Sequence, residues 1–247
     1  YLNNIGGQTI PRQVLLSQEL PEQATIADAI AESVGFKVQI QVPQRGEKAR
    51  YVSLAQKNAE TACVAKLSQV EHLFKRHQAL CELLQREQVS RMECFDISHT
   101  MGQQTMASCV VFGPQGPLKN EYRRFHVEGV TPGDDYGAMR FALQKRYGKQ
   151  SDLEKVPDIV LIDGGAGQLN QAIEFFNNFH LEKRPYLIGV AKGTSRKPGL
   201  ETLLLNSPEH AISLPADHPA LHLIQHIRDE SHRFAITGHR AQRGKKL

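Results

Sequence analysis

The sequence predicts an α/β protein built on a mixed sheet flanked by helices, and three features carry that reading. Three strand-like runs, Met92–Ile97, Ala107–Phe112 and Tyr122–Val127, follow one another at close spacing, as in an antiparallel meander. Two further apolar runs, Asp158–Ile162 and Tyr186–Ala191, are separated by a stretch long enough for a helix, the mark of a parallel portion. The chain then closes on a helical stretch, Pro219–Arg243, with Ile224, Ile227, Ser231 and Phe234 along one stripe.

Residues 1–50 read as a small N-terminal lead-in: a helix over Ala24–Ser33, an alternating strand over Phe36–Val42, and a turn at Pro43-Gln44-Arg45-Gly46. Residues 51–90 are expected to be a long connecting helix, from about Val52 to Gln88. Cys63, Leu67, Val70, Phe74 and Cys81 recur on one of its faces. At ~1.5 Å per residue it runs roughly 50 Å and reads as a strut packing the lead-in against the main domain. Residues 91–247 form the core domain. There a helix follows Pro132-Gly133-Asp134-Asp135, another spans about Gln168–Asn178, Lys192–Pro198 is a basic loop, and Thr202–Leu205 with Ala211–Leu214 makes an edge hairpin.

The chain has 247 residues, 40% hydrophobic and 23% charged, which suits a soluble protein with a real core. No apolar run approaches the ~20 residues of a membrane span. A net charge of +4 is compatible with nucleic acid without proving it. Cys63, Cys81, Cys94 and Cys109 lack CxxC spacing and sit in apolar surroundings, so they read as reduced core thiols of a cytoplasmic protein. A sequence opening on Tyr1 rather than Met is expected to be a piece of a longer one.

The candidate site starts from two aspartates. Asp96 lies in Glu93-Cys94-Phe95-Asp96-Ile97-Ser98-His99, and Asp163 ends Ile159-Val160-Leu161-Ile162 before Gly164-Gly165. A lone strand-end Asp often does no more than cap the next helix. Two on separate strands can share a divalent cation, the usual apparatus for phosphodiester cleavage. Of the histidines on the last helix, His222, His226 and His239 read as solvated, whereas His232 flanks the apolar stripe and can ligate a metal or relay a proton. Asp135 opens a helix, where acids are favoured electrostatically. Basic residues at Arg45, Lys48 and Arg50, at Arg123 and Arg124, at Lys192, Arg196 and Lys197, and at Arg240 and Arg243 suit phosphate contacts that position DNA without reading its bases.

The runs Glu93–Gly102, Pro132–Tyr136, Leu161–Gly165, Gly189–Gly193 and Ile227–Ile236 resemble, in order, the C-terminal half of UvrC, the incision subunit of the bacterial UvrABC excinuclease. The resemblance implies an RNase H-like fold and a metal-dependent cut 5′ to a lesion in double-stranded DNA; with a histidine in place of a third carboxylate, Mg²⁺ or Mn²⁺ is the expected ion. It implies Asp96, Asp163 and His232 as the catalytic, metal-holding group, with Asp135 also implicated. UvrB, with UvrA upstream, is the implied partner, and no membrane. Where the family usually reads Gly-Gly-Lys-Gly-Gln, this chain has Gly164-Gly165-Ala166-Gly167-Gln168, which loses a positive charge but no metal ligand. The family's Gly-Ile-Tyr/Tyr-Ile-Gly nuclease, UvrB-binding and helix-hairpin-helix segments are not found, so one endonuclease module of a larger protein is expected. The chief rival is a non-catalytic RNase H-like module that binds DNA or a partner. A resolvase or transposase of the same fold, or a nucleotide-binding enzyme using Gly164–Gly167 as a phosphate turn, ranks lower; that turn matches no full fingerprint.

Overall fold

A computed structural model describes residues 10–99, 105–131, 133–149, 156–178, 184–191 and 201–243, the side chains of 238–243 excepted. The chain divides into two compact units, Tyr1–Gln69 and Val70–Leu247. None of the described helices is long and apolar enough to cross a membrane.

In the first unit, β1 (Gln13–Leu15) pairs in parallel with β2 (Gln39–Gln41), and α1 (Gln23–Val34) connects them. Helix α1 stops at Gly35, whose left-handed φ of 76° lets its N–H close on the Ala31 carbonyl. Strand β1 is too short to show an alternating pattern, which is why sequence periodicity missed it. Helix α2 (Gly46–Leu83) starts and ends earlier than expected. Gln85 takes a left-handed φ of 51° and Arg86 N–H bonds the Cys81 carbonyl, so the chain turns off before Gln88. The expected stripe on α2 is regular but mostly not buried. Leu67, Val70 and Phe74 are 65%, 54% and 62% exposed, and Cys63 is exposed, contrary to its reading as a core thiol. Burial is confined to the last turns, at His77, Leu80 and Cys81, where the His77 ring bonds the Val89 carbonyl.

Among the described residues, the second unit is organised by an eight-stranded mixed sheet. Its strands are β3 (Met92–His99), β4 (Thr105–Gly113), β5 (Gly116–Pro117), β6 (Arg123–His126), β7 (Ile159–Asp163), β8 (Tyr186–Ala191), β9 (Thr202–Leu205) and β10 (Ala211–Ser213). Their order is β10-β9-β8-β7-β3-β4-β5, with β6 also paired to β4. Strands β3, β7 and β8 run parallel, while β4 and β9 flank them antiparallel. Residues 92–96 are buried on both faces, so β3 shows no alternation of apolar and polar residues, and it encloses the two carboxylates Glu93 and Asp96. Helices α3 (Asp135–Tyr147) and α4 (Ala166–Asn177) cover one face, where Tyr147 meets the rings of Phe95 and Phe176 at centroid distances of 6.1 and 5.4 Å. Helix α5 (Pro219–Arg243) covers the other, packing on β3, β4 and β7 through Leu223, Ile224, Ile227 and Ser231. The meander, the parallel strands, the hairpin and the last helix are thus where the sequence placed them. The 192–198 loop lies outside the described residues.

Candidate metal centre

Asp96 and Asp163 are register partners in the parallel pair β3/β7. Laterally paired residues project to the same face of a sheet, so both carboxylates lie on the α5 side. Strand β7 stops at Asp163, as expected. Strand β3 does not stop at Asp96 but continues through Ile97–His99, paired to β4, so Asp96 is the last residue of β3 paired to β7 rather than the strand end. Helix α5 then delivers His232, with Nδ1 3.7 Å from Asp96 Oδ2. One ligand atom from each of Asp96, Asp163 and His232 lies within 4.8 Å of the others. The Asp96 side chain is 7% exposed and that of His232 61%, so the group opens from the core toward solvent. Two carboxylate oxygens and an imidazole nitrogen are a donor set that could hold a divalent cation. Beneath them, burial and then the negative fields of Asp163 and Asp96 push the Cys94 thiol well above its usual range, so it stays protonated and offers no thiolate.

The turn of α5 bearing His232 is held by the meander. Ser231 Oγ lies 3.2 Å from Ser108 Oγ and reaches the Cys94 carbonyl, and Ser108 is the β4 partner of Asp96. Tyr122 donates to Glu230 at 3.1 Å. Arg124 donates to the Phe234 carbonyl at 2.6 and 3.2 Å and to Thr237 Oγ1 at 2.9 Å, with its guanidinium 3.7 Å from the Phe234 ring centroid. Arg124, expected at a phosphate, is therefore turned onto α5. Residues on both sides of His232 are anchored while its ring stays accessible.

Asp135 is not part of the three-residue group. As the first residue of α3, it meets His99 Nε2 at 2.6 Å with one oxygen and accepts from Gln168 Nε2 at 3.2 Å with the other. Gln168 Oε1 accepts from Gly165 N–H at 2.9 Å, a glutamine at the third position of α4 reaching back to its cap. Sequence reasoning assigned no role to His99 or Gln168. The available signals were the odd spacing of His99 from Asp96, which puts it on the other face, and the capping position of Gln168. Ala166 is exposed at the start of α4.

Among the remaining histidines, His226 is not simply solvated: it meets Phe112 edge-on at 5.3 Å, and its burial holds its pKa below the usual value. His222 bonds the Ala216 carbonyl. Arg45, Lys48 and Arg50 are exposed in the first unit. Arg123 is exposed and donates to the Asn120 and Tyr122 carbonyls. Lys192, Arg196 and Lys197 lie outside the described residues, as do the side chains of His239, Arg240 and Arg243.

A mixed sheet with paired aspartates on its central parallel strands, and a histidine brought over them by the last helix, is an RNase H-like arrangement. Residues 78–236 match the model of the UvrC RNase H endonuclease domain, and residues 1–66 that of the UvrC ribonuclease H-like domain. The chain belongs to the UvrC family. It is 52% identical to UvrABC system protein C of Yersinia pseudotuberculosis and 53% identical to that of Mannheimia succiniciproducens, each over 99% of this chain and 41% of the relative. The chain thus spans less than half the length of the curated relatives it matches. A weak likeness extends to endonuclease V of Ciona intestinalis in complex with an inosine-containing DNA, at 18% identity over 43% of this chain and 47% of that one, with a TM-score of 0.31.

Proposed function

We propose that this chain is the metal-dependent endonuclease module of a nucleotide excision repair protein and makes the incision 5′ to a lesion in double-stranded DNA. The observation that carries the reading is the convergence of Asp96, Asp163 and His232 on one face of the sheet. Asp96 and Asp163 would hold Mg²⁺ or Mn²⁺, and the Nδ1 edge of His232 faces the same point. A bound divalent ion supplies a lowered pKa for coordinated water and stabilises charge on phosphate oxygens. The buried position of Asp96 fixes its carboxylate, and the accessible His232 ring leaves room for a phosphodiester. The exposed basic residues would contact DNA phosphates, giving affinity that falls with salt and carries no sequence preference. The 52% identity to UvrABC system protein C supports UvrB as the partner and UvrA as the upstream component.

The test is a strand-resolved incision assay on a lesion duplex with the full-length protein and its partners. Asp96→Ala, Asp163→Ala and His232→Ala are each expected to slow the 5′ cut by at least about 10³-fold, the several kcal/mol that a metal centre supplies. The other incision should persist. A near-normal 5′ cut by Asp163→Ala would favour the non-catalytic reading.

A further inference from the structure

We propose that Asp135, His99 and Gln168 form a brace that sets the spacing between Asp96 and Asp163, so that Asp135 is a positioning residue and not a ligand or base. The inference rests on the metal-centre reading above and deepens it.

The register of β3 with β7 ends at the Asp96–Asp163 pair. From there the two chains diverge, β3 toward His99 and β7 into the Gly164-Gly165 turn. Asp135 bridges these two departures, because His99 lies three residues beyond Asp96 and Gln168 clasps Gly165, two residues beyond Asp163. Asp134 fixes the start of α3 by accepting from Gly137 N–H at 2.9 Å, which places the Asp135 carboxylate. His99 Nδ1 lies 3.1 Å from Thr105 Oγ1, so in a neutral ring Nε2–H donates to Asp135 while Nδ1 accepts from the hydroxyl. His99 is on the sheet face opposite Asp96, as the alternation along β3 requires. The brace therefore grips the strands from the side of α3 and α4, while the metal-holding carboxylates face α5.

Steric fit supports a rigid link. A Cβ on Gly164 would collide with the Gln168 side chain, and one on Gly167 with the Tyr136 ring. The first turns of α3 and α4 are thus in close contact at two successive positions, Asp135 on Gln168 and Tyr136 on Gly167. Groups that orient metal ligands from outside the coordination sphere affect metal affinity by about 10–100-fold.

The experiment measures Mn²⁺ binding by titration calorimetry, and 5′ incision against Mn²⁺ concentration, on the full-length protein. Asp135→Ala and Gln168→Ala should each weaken Mn²⁺ binding about 10-fold. The Mn²⁺ concentration for half-maximal cutting should rise in parallel, with a much smaller change in rate at saturation. Asp135→Asn removes the charge but can keep both bonds once His99 switches tautomer, and should stay within about 3-fold of the parent. The double Ala variant should be no worse than the weaker single, since both cut the same link. If Asp135→Asn is as inactive as Asp163→Ala at saturating Mn²⁺, Asp135 acts directly and the brace is overturned. Should Asp135→Ala fail to fold, Asp135→Asn and Gln168→Ala still decide. Full activity in Asp163→Ala would overturn the metal-centre reading instead, which the same assay separates from failure of the brace.

Discussion

Strand β3 buries two carboxylates three residues apart, and their surroundings differ completely. Glu93 faces α3 and accepts from Arg146 Nε and Nη2 at 2.9 and 2.7 Å, from Arg91 Nε and Nη2 at 2.9 and 2.7 Å, from Tyr147 Oη at 2.6 Å and from Cys109 Sγ at 3.3 Å. Burial alone would raise its pKa, but the hydrogen bonds and charge of Arg146, with Tyr147 and Arg91, outweigh it and hold Glu93 below the usual carboxylate range. Burial also acts to lower the pKa of Arg146, yet its bonds to Glu93 hold it above the ordinary arginine value. Asp96, on the opposite face, looks instead toward Asp163 and the accessible edge of His232. One charge is enclosed by complementary groups and fastens α3 to the sheet. The other stands beside a like charge at an opening. Buried position alone does not separate the fastening carboxylate from the candidate metal ligand; the sign of the neighbours does.

The largest effect on stability should come from the enclosed carboxylate. Glu93→Ala strands two guanidinium groups and a tyrosine hydroxyl, and is expected to cost about 3–5 kcal/mol. Because the folded pKa of Glu93 is depressed, its contribution is fully present above the ordinary value of 4.5 and fades as pH falls through the lower folded value. Urea unfolding of parent and variant from neutral to acid pH should show the gap closing only below that point. A gap that stays constant into strong acid would mean that packing, rather than charge, dominates at Glu93.

Asp163 should behave in the opposite way. Without metal, Asp163→Ala should melt at or slightly above the parent temperature, since it removes one of two neighbouring carboxylates. With Mn²⁺ at 100 times its Kd, the parent should gain about 2.7 kcal/mol, and the variant should gain almost nothing. Thermal melts with and without the ion check this. Equal Mn²⁺ stabilisation in both proteins would erase the contrast between the two carboxylates.

How much of this contrast the sequence disclosed follows from the reach of each interaction. The sheet was legible because strands β4, β7 and β8 are largely apolar runs bounded by glycine or polar turns, with β3 leading closely into β4. Asp163 stood out as the polar end of such a run, and its pairing with Asp96 followed from reading both as aspartates on separate strands able to share a cation. The exposed face of α2 was misjudged because periodicity records amphipathic order and not whether a partner covers it. The Glu93 network and the Asp135 brace escaped because each joins residues distant in sequence: Arg146 to Glu93, Gln168 to Asp135, His99 to Asp135. The direction of Arg124 was equally hidden, since a basic residue on an edge strand looks alike whether it meets a phosphate or a helix carbonyl.

Arg124 gives the smallest and most discriminating test. On the α3 face, the helix-borne Arg146 reaches into the sheet; on the α5 face, the strand-borne Arg124 reaches up to the helix. The first bond is to a fully buried carboxylate and the second to the neutral carbonyl and ring of the half-buried Phe234, so the second should matter less. Arg124→Ala is expected to lower stability by about 1–2 kcal/mol. Because its contacts fall at Phe234 and Thr237, just past His232, the 5′ incision should slow several-fold even where the protein is fully folded. The salt dependence of DNA binding should not change, because this guanidinium is engaged by the protein. Arg123→Ala is the paired control: among the described residues its hydrogen bonds reach the Asn120 and Tyr122 carbonyls, so melting should shift by less than about 0.5 kcal/mol. If Arg123 meets a phosphate, the same substitution should lower the salt slope by about one. A reduced salt slope with unchanged melting for Arg124→Ala would instead make Arg124 a DNA contact, and would leave Ser231 and Glu230 as the groups that present His232.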